Sequence, residues 1–453
     1  MRRTPLLLLL LALASPALAE EAGEVWRRLQ DNGVAAVGEG DLPAAEQAFR
    51  GAYEAAAGLP AQDPRRAIGA NNLAFVLYGE GRTAEALPYY REALALREAV
   101  FGPSHPTTAE SLANLAEALR AAGEVAEAEA LQRRAVEIRR TRLPAGHPDL
   151  ADSLNRLGIL LTGEGRYDEA ETAYREALQI RLAVLGGQSL GAAEVENNLA
   201  ALAFTRERYG EAETWYRSAL AAEEAANGAD APSLALGFAD LGEVLRLQGR
   251  NDEAALALER ALALRQPADA TDDLDAARLR LALGLVRAAQ GQDGAARAEL
   301  ERSLAARERL LGPNRPEVAE VLVELAGLAR RSGDPQRALV LLTRAVSIQE
   351  AALGKEALPL AIYVNDLGVL RAELGDLAEA ERLLVRAGRL DGQLPAQVPA
   401  AEFARTLLNH AEVLAALGRG EEAGAERARA AALAGGTPAA PAPVTGSAPA
   451  TSP

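Results

Sequence analysis

The sequence predicts an all-α protein built from one helical repeat used many times. Three observations carry this. A Leu-small pair recurs at a fixed step of 42 residues: Leu73-Ala74, Leu115-Ala116, Leu157-Gly158, Leu199-Ala200, Leu241-Gly242, Leu283-Gly284, Leu325-Ala326 and Leu367-Gly368. Within one period, Leu112, Leu115, Ala116 and Leu119 fall at i, i+3, i+4 and i+7, one stripe of a helix. Aromatics are 4% of the chain against 49% apolar residues, mostly Ala and Leu, which suits close helix packing better than sheets.

The chain opens with MRRTPLLLLLLALASPALAE. Arg2 and Arg3 form a basic start, Leu6 to Leu13 an apolar core too short to span a bilayer, and Ala17-Leu18-Ala19 a small-x-small cleavage site. Residues 1–19 therefore read as a signal peptide cut after Ala19, and the mature chain as exported, periplasmic or secreted. No other stretch approaches the roughly 20 apolar residues that a spanning helix needs.

The repeats follow. A length of 453 residues would suit about three average domains, but a repeat array answers to a different rule. Glycines keep the same step at Gly81, Gly123, Gly165, Gly249, Gly291, Gly333 and Gly375, broken only by Glu207. Each glycine ends a first helix, because it enters the left-handed cap without strain. A second helix follows, with Ala128, Leu131, Ala135 and Ile138 as its stripe and small residues at 86, 128, 170, 212, 254, 296, 338 and 380. One helix pair cannot bury both faces, so neighbours stack into a solenoid. The core repeats cover 67–392. Residues 25–58 and 400–434 fit degenerate capping repeats, which brings the array to about ten antiparallel helix pairs over 20–434. The last stretch, 435–453, is Pro/Ala-rich and uncharged, with no apolar period, and reads as a disordered tail.

Several short motifs compete with this repeat frame. GQSLG at 187–191 matches a nucleophile elbow, but no strand pattern precedes it. His105 in GPSHP and His147 in PAGHP could pair on a metal, yet the same step meets Ser189, Ala231, Asp273 and Arg315, which chemistry would not tolerate. Pro106, Pro148 and Pro316 suit the first position of a helix, so GPSHP reads as a link between helices. Tyr89, Tyr90, Tyr174, Trp215 and Tyr216 exchange with leucines at fixed core positions and read as packing. With no cysteine there is no disulfide or thiolate site. No catalytic residue, metal ligand or cofactor is assigned. A net charge of −16, with Lys355 the single lysine, disfavours nucleic acid and anionic membranes.

The order Asn-Leu-Ala, Gly, Glu-Ala and Tyr-x-x-Ala in NNLAFVLYGEGRTAEALPYYREAL (71–94) resembles the tetratricopeptide repeat. The 42-residue step with a G-P-x-H-P link resembles its kinesin-light-chain type, over residues 25–434. The resemblance implies a right-handed superhelix whose first helices line a concave groove for peptides or proteins. The residue before each repeat's Leu would face that groove: Asn72, Asn114, Arg156, Asn198, Asp240, Ala282, Glu324 and Asp366. So would the residue four earlier, including Glu110, Asp152, Glu194 and Glu320. In peptide-binding members, asparagines at the Asn72, Asn114 and Asn198 positions hydrogen-bond the ligand backbone. A carboxylate clamp is disfavoured, since only Arg156 and Arg278 are basic on these two series.

The function expected is a non-enzymatic scaffold of the bacterial cell envelope, with a neutral or basic peptide or protein partner. The alternatives are a self-associating structural component, or a hydrolase or metalloenzyme using Ser189 or His105 and His147. The sequence leaves the partner and the oligomeric state open.

Overall fold

The computed structural model describes residues 16–185, 189–265, 273–393 and 400–433. Among them the regular elements are twenty α-helices, with no strand. Residues 1–15 of the expected signal peptide and the expected tail at 435–453 lie outside the described residues; Pro16–Ala19 open the first helix. No described helix is long and apolar enough to cross a membrane.

The chain forms two compact units, residues 1–226 and 227–453. The first holds α1 (Pro16–Glu39), α2 (Leu42–Ala56), α3 (Pro64–Gly79), α4 (Thr83–Phe101), α5 (Pro106–Ala121), α6 (Val125–Arg142), α7 (Pro148–Gly163), α8 (Tyr167–Leu185), α9 (Leu190–Thr205) and α10 (Tyr209–Asn227). The second holds α11 (Leu234–Leu247), α12 (Asn251–Arg265), α13 (Leu274–Ala289), α14 (Asp293–Leu311), α15 (Pro316–Arg331), α16 (Pro335–Leu353), α17 (Leu360–Glu373), α18 (Leu377–Gln393), α19 (Ala400–Ala416) and α20 (Gly420–Leu433). In each unit an odd-numbered helix packs on the even-numbered helix after it, and each pair packs on the next.

The glycine series ends the first helices as the sequence predicts. Gly81, Gly123 and Gly165 take φ of 77°, 81° and 74°. The residue after each closes the helix, Arg82, Glu124 and Arg166 donating their N–H to the carbonyls of Leu77, Leu119 and Leu161 at 2.9 Å. Glu207 keeps the same left-handed turn at φ 57°, the one non-glycine residue with positive φ among the described residues.

The Leu-small pair sets the packing inside a repeat. Leu73, Leu77, Leu112, Leu115 and Leu119 are fully buried, each worth about 1.5–3 kcal/mol of transfer free energy. The small partner lets the second helix close in. A Cβ on Gly158 would stand 2.5 Å from the Tyr174 ring, and one on Gly242 2.7 Å from Leu258. Tyr90, Tyr174 and Tyr216 are buried core residues, as expected, whereas Tyr89 and Trp215 are half-buried beside them.

Candidate functional site

The histidines have a structural role. His105 and His147 are the N-caps of α5 and α7, and each Nδ1 accepts the backbone N–H two residues on, Thr107 and Asp149, at 3.2 Å. Ser189 does the same for α9, its Oγ accepting Ala192 N–H at 3.2 Å. Asp63 and Asp273 serve α3 and α13, accepting from Arg65 and Ala276 at 2.9 and 2.8 Å. One column thus accepts His, Ser and Asp because each offers a short-range acceptor to the free N–H groups of a helix start. Pro64, Pro106, Pro148 and Pro316 follow at the first helical position. Of the elbow motif, Gly187 and Gln188 lie outside the described residues.

The residues before each Leu form a row along the first helices. In unit 1, Asn72, Asn114, Arg156 and Asn198 are all half-buried there. Asn114 Nδ2 donates to Asn71 Oδ1 on the preceding first helix at 3.0 Å, and Asn198 Nδ2 donates to Asn155 Oδ1 at 2.8 Å. Asn72 Oδ1 accepts from Asn71 Nδ2 at 3.2 Å. In unit 2, Asn409 donates to Asn365 at 2.9 Å. Asn114, Asn198 and Asn409 therefore rung together neighbouring repeats while the Asn72 bond stays within α3, and each still has donor or acceptor capacity left, since an amide carries two N–H groups and two lone pairs. In unit 1 the rung pairs an Asn before Leu with an Asn two before Leu in the previous repeat; in unit 2 Asn409 precedes His410 instead.

The acidic positions one turn earlier are also engaged. Arg97 pairs with Glu110 at 2.9 Å, Arg181 pairs with Asp152, and Arg307 pairs with Glu320 at 2.7 Å. Glu194 accepts from Asn155 Nδ2 at 2.9 Å. These cations lie outside the two series that the sequence assigns to the groove. They sit at the ends of the second helices, and Arg97, Arg139, Arg181, Arg265 and Arg307 keep the 42-residue step, broken at Glu223. Buried Arg97 and Arg139 also donate to the carbonyls of Thr107 and Asp149 at 2.8 Å, fastening one repeat to the start of the next.

Unit 2 carries different charges on its row. Burial pushes Asp240 up to about 6, which Arg278 only partly offsets. Burial, then repulsion from Asp366, pushes Glu324 up to about 8, although Glu324 keeps some surface. Asp366 is buried and pushed up to about 6, with Arg405 and the Asn365 hydrogen bond opposing. The row also exposes apolar surface, at Phe75 in unit 1 and Leu236 in unit 2. Elsewhere, a depression of about 620 Å³ lies between α6 and α8, floored by Leu154, Leu157 and Leu161. Arg133–Glu169 and Arg140–Glu176 pairs tie its rim, at 2.9 and 2.8 Å, so it is a seam between repeats and not part of the row.

Among solved structures, the chain is similar to the apo form of RapI, at 11% identity over 84% of this chain and 99% of that one, with a TM-score of 0.58. It is similar to the apo form of the quorum sensor NprR from B. thuringiensis, at 14% identity over 72% and 87%, with a TM-score of 0.54. It also matches nearly identical TPR-like repeats of a putative kinesin light chain from Podosopora anserina, at 23% identity over 45% and 95%, with a TM-score of 0.41. No curated protein matches. The Tetratricopeptide repeat family model matches residues 65–141, 149–225, 192–266, 275–351 and 323–390, more than half of the chain. Helix pairs at a 42-residue step and glycine-ended first helices agree with this family-model match, and the chain belongs to the tetratricopeptide repeat family.

Proposed function

We propose that this protein is a non-enzymatic scaffold that binds extended peptides or protein segments along the rows of its first helices. The observation that carries this reading is the row of half-buried asparagines with spare hydrogen-bonding capacity: Asn72, Asn114 and Asn198. Amides that still have a donor or acceptor to offer can pair with peptide units of any sequence. Exposed Phe75 beside that row, and Leu236 in unit 2, offer apolar side chains a place to settle.

Partner charge follows from the groups left without a counter-ion. In unit 2 burial disfavours the charged forms of Asp240 and Glu324, so that row suits a neutral segment while they hold their protons and a basic one that would stabilise their ionised forms. Export to the bacterial envelope rests on the leader sequence at 1–19. Ser189, His105 and His147 are occupied in helix capping, so nothing in their geometry favours hydrolysis or a metal.

The decisive experiment is a peptide-display selection on the mature chain, followed by an Asn72/Asn114/Asn198→Ala triple. Loss of selected-peptide binding with folding retained supports the reading. Full binding by the triple, with loss on Ser189→Ala or the double His→Ala change, would overturn it. The mature N-terminus of exported protein, read by mass spectrometry, tests cleavage after Ala19.

A further inference from the structure

The rungs of the asparagine ladder follow a rule, and unit 1 breaks it once. An Asn before the repeat's Leu bonds across only where the previous repeat offers an Asn two before its own Leu: Asn71 for Asn114, Asn155 for Asn198. Arg156 stands between those two rungs. Its counterpart on the preceding first helix is Ala113, which is buried and has no side-chain acceptor. Arg156 has neither a hydrogen bond nor an ion pair among the described residues, and it is only half-buried.

The acids around it are each engaged by another residue, and none bonds or pairs with Arg156 among the described residues. Glu117 accepts from Arg120 Nη2 at 2.6 Å and from the Tyr78 hydroxyl at 3.2 Å. Glu110 is held by Arg97, Asp152 by Arg181, and Glu194 by Asn155. Burial raises Glu117, but the Arg120 hydrogen bond and charge, Tyr78 and the field of Arg156 together hold it below the usual carboxylate range. Glu117 is thus a settled anion that feels Arg156 without binding it. Arg156 is the one basic residue of this row in unit 1 and has no carboxylate partner among the described residues.

We propose that Arg156 holds the carboxylate of an Asp or Glu side chain within an extended protein segment that runs past Asn114 and Asn198. The ladder continues on both sides of Arg156, which places the charge in the interior of the bound segment and not at its chain end. A guanidinium fork takes a carboxylate through two parallel N–H bonds, which a lysine in its place could not copy. This rests on the peptide-binding reading above and departs from a uniformly basic partner: unit 1 selects an acid where unit 2 selects a base.

The test is selection of random peptides on the full mature chain, from one library tethered at both ends and one with free C-termini. Wild type should enrich an acidic residue at one position in the tethered library. Replacing that residue by its amide should weaken binding about tenfold to wild type and under about twofold to Arg156→Gln. Arg156→Glu should shift the enrichment to Lys or Arg. A circular-dichroism melt like that of wild type shows that the Arg156 variants are folded. Enrichment that survives Arg156→Gln, or that needs a free C-terminus, overturns the inference. Peptides that depend on Asn114 and Asn198 but carry no acidic preference overturn it while leaving the scaffold reading intact. No selected peptide at all overturns both.

Discussion

Asn114 donates its side-chain amide to Asn71 Oδ1, 43 residues earlier, at 3.0 Å. The bond joins the first helices of two neighbouring repeats, and Asn71 is buried. Asn114→Ala leaves that carbonyl unpaired and should cost about 1–3 kcal/mol. Asn114→Asp, which cannot donate, should cost at least as much. Urea unfolding of both variants separates this structural role from a ligand role, since a pure ligand contact would leave stability unchanged.

Glu207 holds φ at 57° where the other repeats place glycine. Its side chain is exposed and makes no hydrogen bond among the described residues. The left-handed conformation costs a non-glycine residue about 1–2 kcal/mol, part of which glycine returns as unfolded-state entropy. Glu207→Gly should therefore raise the stability of unit 1 by about 0.5–1 kcal/mol, read as a higher urea midpoint at unchanged slope.

Gly158 faces the Tyr174 ring with no room for a methyl group. Gly158→Ala gains up to about 1 kcal/mol of helix propensity, but overpacking of about 1–3 kcal/mol should win. In a Tyr174→Ala background the clash is gone and the sign should reverse. The same unfolding assay, run as a double-mutant cycle, checks both signs.

The cap column should tolerate exchange among its own residue types. His147→Asp or His147→Ser keeps an acceptor for the start of α7 and should leave stability within about 0.5 kcal/mol, whereas His147→Ala should cost about 1 kcal/mol. Peptide binding should be unaffected in all three. Calorimetry on the set measures this.

The carboxylates of the unit 2 row set a pH trend. Asp366 and Glu324 titrate near 6 and 8 in the folded chain, against about 4 when unfolded. The fold therefore holds these protons more tightly. Their contribution to stability is fully present below about pH 4 and is lost as pH rises through 6 and 8. Unit 2 should melt more easily at about pH 8.5 than at about pH 5.5. Glu324→Gln should flatten the upper part of that trend and raise stability by about 1–2 kcal/mol near pH 8. Arginine-paired carboxylates such as Glu46 and Asp63 are lowered instead, so their loss falls below about pH 4 and outside this window.

The sequence by itself determined the helix pairs, their step, the turn that ends each first helix and the small-against-large contact inside each pair. These features are local: each is built from residues within one repeat, and every repeat writes the same requirement into the chain. Even the break at Glu207 was visible as a missing glycine. What Asn114, Glu110, Asp152 and Arg156 do was not legible in that way. Polar residues at a helix surface look alike in sequence whether they meet water, a ligand or a neighbour. Only tertiary packing decided it: the stacking of repeats brings Asn71 to Asn114 and Arg97 to Glu110, and the closing of α8 on α7 brings Arg181 to Asp152. Where stacking brought Ala113 instead, Arg156 was left with its charge unanswered.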